Sequence, residues 1–179
     1  DPLPTNVSYQ TGSFYEGTLY FVPTYTPGSD PANLKNDLFR IDFTDPATVA
    51  DIVKVADMSG GTVTWNNNDD MAIDPETGIV YGRSDKNDRD NNERTSYFYS
   101  YDIATGTFNL IAENTIPYDY ANPPKAESLH HVFDITTAAE IINGEFWGVR
   151  GSGEIYQANL VTGETEYVTA YVPSDRDGG

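Results

Sequence analysis

The stretch Asp74-Pro-Glu-Thr-Gly-Ile-Val-Tyr-Gly82, followed by Tyr97-Phe-Tyr-Ser-Tyr-Asp-Ile-Ala-Thr-Gly106, decides the fold class. Asp-Pro-x-Thr-Gly is turn chemistry. Proline pre-sets one backbone angle, glycine accepts a left-handed one, and the aspartate caps neighbouring amides. Ile-Val-Tyr then reads as a strand. In the second piece aromatic residues alternate with the two-residue period of a strand, and Asp102 opens another turn before Thr107-Phe-Asn-Leu-Ile-Ala112. Strand, tight turn, strand is therefore the local unit.

Working outward, similar runs fill the chain: Thr18–Val22, Asp37–Asp42, Asp51–Val55, Met71–Asp74, Glu145–Val149, Glu154–Leu160 and Glu164–Thr169. Helical periodicity is nearly absent. The best helix candidate, Pro46–Val55, suits a strand as well. The runs also repeat. Leu19-Tyr20-Phe21 aligns with Val80-Tyr81-Gly82 and Phe146-Trp147-Gly148, so 61 residues separate Tyr20 from Tyr81 and 66 separate Tyr81 from Trp147. Leu38–Asp42, Phe98–Asp102 and Ile155–Asn159 align behind them, each followed by a turn and a further strand. Three unequal copies of one antiparallel meander are expected.

Asp74–Gly82, Tyr99–Gly106 and Ile155–Gly163 resemble the strand pairs of β-propeller-type repeats in secreted bacterial proteins. The resemblance implies an all-β chain of three blade-like repeats. Closed propellers carry about four to eight blades. An open or partial propeller, or a β-sandwich built from the same hairpins, is expected over a single domain spanning 1–179 with linker-like ends at about 1–5 and 173–179.

The chain has 179 residues, with 28 acidic against 10 basic side chains, a net charge of −18 and no cysteine. Such charge argues against nucleic acid and anionic membrane as partners. Without cysteine there are no disulfides, thiolates or Cys-held zinc. No apolar stretch approaches the ~20 residues of a transmembrane helix, and the start lacks a signal peptide's basic and apolar regions. Aromatic residues make up 13% of the chain, enough for a packed core despite the charge. Repulsion among the carboxylates has to be screened by salt or by bound cations.

In an antiparallel meander of strands a to d, the a–b and c–d turns share one edge and the b–c and d–a connections share the other. Unit two has tight turns on the first edge. The second edge receives Thr24–Asn36, Ala56–Asp70, Ser84–Ser96 and Glu113–Leu129, all expected to be long loops and together the expected binding face. Two of these are rich in oxygen-bearing side chains. Asp88, Asp90 and Asn92 spell D-x-D-x-N just after Asp85 and Asn87, and Asn67, Asp69 and Asp70 form a second patch. Hard cations such as Ca²⁺ take six to eight oxygen ligands, so both patches are candidate calcium sites. Asp42, Asp74 and Asp102 read instead as turn caps.

No catalytic motif is present, and the adjacent His130-His131 point to opposite faces if they lie on a strand. A carbohydrate-acting hydrolase or lyase, with some pair among the 28 acids, is one alternative. A structural spacer is another. The preferred reading is a non-enzymatic recognition module for a peptide or glycan. Trp65, Tyr118 and Tyr120 supply rigid aromatic contact, and Arg83, Arg150 and His130 are candidate polar ligand contacts. In general features the chain is similar to the ligand-binding modules of large RTX-type calcium-dependent bacterial adhesins. That similarity implies Ca²⁺ as cofactor, neighbouring domains in the same chain, and an extracellular or cell-surface location.

Overall fold

The computed structural model describes residues 8–24, 37–44, 52–57, 67–122, 136–150 and 153–170. Among them every regular element is a strand, and no helix is long and apolar enough to cross a membrane. The first sheet orders β1 (Ser8–Tyr15), β2 (Thr18–Thr24), β3 (Asp37–Asp42) and β4 (Ile52–Asp57). The second orders β5 (Asn67–Ile73), β6 (Ile79–Asp88), β7 (Glu93–Asp102) and β8 (Thr107–Pro117). The third orders β9 (Thr136–Ile142), β10 (Glu145–Arg150), β11 (Glu154–Asn159) and β12 (Thr165–Ala170). Each is an antiparallel meander of four strands. The sheets follow one another as propeller blades do, with β5 packed between β1 and β9. The first strands thus lie side by side. Thr11 and Ser13 of β1 bridge that line, their hydroxyls accepting from the Met71 and Ile73 amides at 3.1 and 3.4 Å.

The apolar core lies between blades. Tyr20, Val22 and Leu38 meet Met71, Ile73, Val80, Tyr97, Tyr99 and Tyr101 between the first and second sheets. Ala72 and Phe98 meet Ile141, Phe146 and Ala158 between the second and third, with the Phe98 and Phe146 rings edge to face at 5.4 Å. Blade two buries apolar side chains on both faces because it is covered on both.

The repeat has a structural cause. Gly82 stands opposite Tyr99, and Gly148 stands opposite Tyr156. A Cβ at position 82 would collide with the Tyr99 ring, which lies across the glycine backbone. Blade one has Phe21 at this place, and its ring stacks on Phe39 at 5.8 Å. The c–d turns also match. The side chains of Asp42, Asp102 and Asn159 each cap an amide two residues on, at 2.8 Å. The next glycines, Gly106 and Gly163, hold φ of 70° and 69°, which side chains with a Cβ rarely adopt. These hydrogen bonds hold the Asp42 and Asp102 carboxyls below their ordinary range, led by the bonds from Thr44 and Thr105.

Three expectations need correction. Ser84–Ser96 is no loop: β6 and β7 pair without interruption from Ile79 opposite Asp102 to Asp88 opposite Glu93, leaving only Arg89–Asn92 as the turn. Glu113–Pro117 likewise continues β8. Ladder hydrogen bonds come from the backbone, so a polar run pairs as readily as an apolar one once the preceding hairpin fixes its register. Of the helix candidate Pro46–Val55, the described part from Ile52 onward is strand. The first strands β1 and β9 carry no strong alternation of their own and were not foreseen. Of the expected loop Ala56–Asp70, Ala56 and Asp57 end β4 and Asn67–Asp70 open β5, because the backbone ladder with β6 takes up the polar residues; Tyr118–Asn122 is described beyond β8, and 25–36, 58–66 and 123–129 lie outside the described residues.

Candidate functional site

The b–c end of blade two carries the described part of the predicted binding edge. Here the β6–β7 hairpin projects past its apolar core, and the chain leaving β8 folds back over the tip. The Tyr118 amide donates to the Asn92 carbonyl at 2.6 Å, where Asn92 has a left-handed φ of 52°. The Tyr120 hydroxyl lies 2.7 Å from the Glu93 carbonyl oxygen and 3.2 Å from Asn87 Oδ1. Burial pushes this phenol up from its ordinary range. The two tyrosine rings sit 4.8 Å apart, with the Arg94 guanidinium 5.5 Å from the Tyr118 ring and that of Arg89 5.3 Å from the Tyr120 ring. Asp119 closes a turn, accepting from the Ala121 and Asn122 amides at 2.9 and 3.2 Å. The hydrogen bonds from Asn122, with that from Ala121, hold its carboxyl low. Beside this arm lies an open depression of about 570 Å³, lined by Asn92, Pro117, Tyr118, Asp119 and Asn122.

Beneath the tip, the predicted ligands Asp85, Asp70 and Arg83 are buried, at 1%, 1% and 3% exposure. Register explains why. Asp70 pairs across with Arg83, and Asp85 lies two residues along β6, so all three share the face turned toward blade three. Arg83 is therefore not a rim residue. Asp85 Oδ2 accepts from Arg94 Nε and Nη2 at 2.9 and 2.8 Å, an ion pair buried at both ends. Arg94 was not foreseen. Its signal was available only through the hairpin register, which places it diagonally across from Asp85.

The two calcium patches differ in what their oxygens already hold. At the tip, Asp88 accepts from the Asn91 amide and its Nδ2 at 3.1 and 3.0 Å, and Asn91 thereby holds the carboxyl low. Asn87 Oδ1 faces Tyr120, while Asp90 and Asn92 are exposed. On the inner strand, neither oxygen of Asp70 has a hydrogen-bond partner, nor has Asp85 Oδ1. Burial pushes the Asp70 carboxyl up to about 6 against the pull of Arg83. Oxygen donors suited to a hard cation are thus found at Asp70 and Asp85; the β5 backbone runs past them, with Asn67 paired opposite Asp85, and the side chains of Asn67 and Asp69 lie outside the described residues. Among the described residues no three Asp, Glu or His side chains converge on one centre. An ion there would add backbone or amide oxygens to these carboxylates. Arg150 occupies the last position of β10. Trp65 and His130 lie outside the described residues.

No family model matches the chain, and no curated protein does. Among solved structures, a protein of unknown function from Bacteroides thetaiotaomicron aligns with a TM-score of 0.51 at 10% identity, covering 87% of this chain and 32% of that one. Sqt1 of Saccharomyces cerevisiae aligns at 0.43 and 11% identity, covering 86% and 31%. YCF48 bound to D1 peptide aligns at 0.35 and 7% identity, covering 97% and 55%. The chain spans about a third of the length of the first two. At 10% identity the first likeness is one of fold alone, and the propeller-like character of this chain rests on its own three four-stranded antiparallel sheets.

Proposed function

We propose that this chain is a non-enzymatic recognition module that takes a peptide or glycan at the b–c edge of its blades. The observation that carries the reading is the Tyr118–Tyr120 arm, clasped over the β6–β7 tip beside an open polar depression. Two phenol rings tilted at 56°, with guanidiniums over their faces and Asn and Asp side chains around them, offer apolar contact and hydrogen bonding together. That combination suits sugar rings and peptide backbones. Calcium is the proposed structural cofactor. It would be held by Asp70 and Asp85 with oxygens of the Asn67–Asp69 segment, and would coordinate the carboxylate oxygens that have no hydrogen-bond partner. The proposed setting is a secreted or surface bacterial protein with further domains, in the manner of the large RTX-type adhesins.

Glycan and peptide arrays probed with the wild type and with the Tyr118→Ala/Tyr120→Ala double variant test the site. Binding that survives the double substitution unchanged sinks it. Thermal unfolding in millimolar Ca²⁺ and in chelator tests the cofactor. Asp70→Asn is expected to abolish the calcium-dependent rise in Tm, and identical wild-type melts in the two media would end the calcium claim.

A further inference from the structure

Blade three buries one face, and its other face is covered by no other sheet among the described residues. Ile141, Phe146, Tyr156 and Ala158 turn toward blade two and are buried. On the opposite face, register aligns Glu140, Trp147, Gln157 and Glu166 in one row across all four strands. Ile142 and Val149 stand in the flanking rows, 48% and 39% exposed. None of the described side chains on this face is buried.

The repeat says what kind of surface this is. Tyr20 and Tyr81 occupy Trp147's place in the first two blades, and each packs against the following sheet. Trp147 thus lies on the docking face of the repeat. Trp147 is half-buried here, its indole nitrogen shielded and without a hydrogen-bond partner, while Ile142 and Val149 stand in water, and such a face is poised to associate. The charge on it selects the partner. Glu140, Glu145 and Glu166 stand on this face, and Glu164 lies in the turn between β11 and β12. Glu145, Glu164 and Glu166 rim a depression of about 480 Å³ with Gln157, Asn159 and Thr165. A second copy laid on this face with the same face would meet its own carboxylates.

We propose that the outer face of blade three docks a basic peptide segment of a partner protein. Its apolar residues lie over Trp147, Ile142 and Val149, and its lysines or arginines reach the rim glutamates. Complementary charge gives such a contact its selectivity, and the apolar centre gives it affinity.

The probe is a peptide of about twelve residues alternating lysine and leucine, with lysine–serine and glutamate–leucine versions as controls, titrated by calorimetry and by tryptophan fluorescence. The lysine–leucine peptide is expected to bind, more weakly as salt rises. Trp147→Ala and Glu166→Gln are each expected to weaken it about tenfold or more, which is ~1.4 kcal/mol. Glu166 is exposed, so its variant keeps the fold. The same charge change at exposed Glu113, on blade two, should leave affinity within about twofold, as a rim charge away from the contact does. Absence of binding overturns the proposal. So does equal binding of the lysine–serine peptide or equal loss in Glu113→Gln, since either would mark diffuse attraction to an acidic protein. Sedimentation showing a dimer that Trp147→Ala dissolves would also overturn it, naming a second copy as the occupant.

Discussion

At the scale of single residues, burial decides what a charge does. Asp70 and Asp85 are both acids of the same sheet face, yet Asp85 is held by a guanidinium and Asp70 is not. With a carboxyl raised to about 6, folded Asp70 keeps its proton where the unfolded chain has released it. Its ionisation therefore costs stability above about pH 6, at most ~3 kcal/mol, and the cost fades as pH falls toward the ordinary carboxylate range. In chelator, Asp70→Asn is expected to be more stable than wild type at about pH 8, with the gap closing near pH 4. Melting curves across that range check it, and a gap independent of pH would contradict it. The Asp85–Arg94 pair predicts the opposite response. Arg94→Ala leaves a buried carboxylate without its cation and should cost about 3–5 kcal/mol in urea unfolding. Replacing both partners with leucine and methionine should recover most of the loss.

At the scale of elements, the b–c strand pair is the constant part of the repeat. Its glycine exists because a tyrosine from the next strand lies across it. Gly82→Ala pushes a methyl into the buried Tyr99 ring and should cost about 1–3 kcal/mol, as overpacking does. Chemical denaturation measures this, and a neutral outcome would mean that the ring moves freely. The long β6–β7 hairpin is polar at its end yet ordered, because Tyr118 and Tyr120 bond back to it. Tyr120→Phe should raise amide exchange at Glu93 and its neighbours by roughly fivefold, the effect of losing a hydrogen bond worth about 1 kcal/mol. Exchange unchanged at the tip would show that the arm contributes nothing to its order.

At the scale of the molecule, a net charge of −18 is spread over three blades whose inter-blade contacts are aromatic and aliphatic. Self-repulsion then opposes the packing of blade on blade. Raising NaCl should raise Tm by screening it, and millimolar Ca²⁺ should raise Tm beyond NaCl of equal ionic strength if specific sites hold the ion. Scanning calorimetry at matched ionic strength separates the two. Equal curves would assign the whole effect to screening. Blade two, clamped on both faces, should exchange its amides last, with the outer strands β4 and β12 opening first.

The amino-acid order alone determined the strands that alternate visibly, the three-fold repeat and the turns, because each depends on neighbours a few residues apart: Asp102 caps Thr105, and Tyr81-Gly82 recurs as Trp147-Gly148. It also placed Tyr118 and Tyr120 at the b–c end, since they follow a strand whose direction the meander sets. Tertiary structure alone decided that Ser84–Asp88 is strand, that Arg83 and Asp85 are buried, and that Arg94 is the partner of Asp85. Those outcomes depend on register across a hairpin and on a third sheet closing over that face. A run of Ser, Asp, Lys and Asn carries no mark of either, because the same polar residues are stable in a solvated loop or in a ladder whose backbone bonds are made by its partner strands.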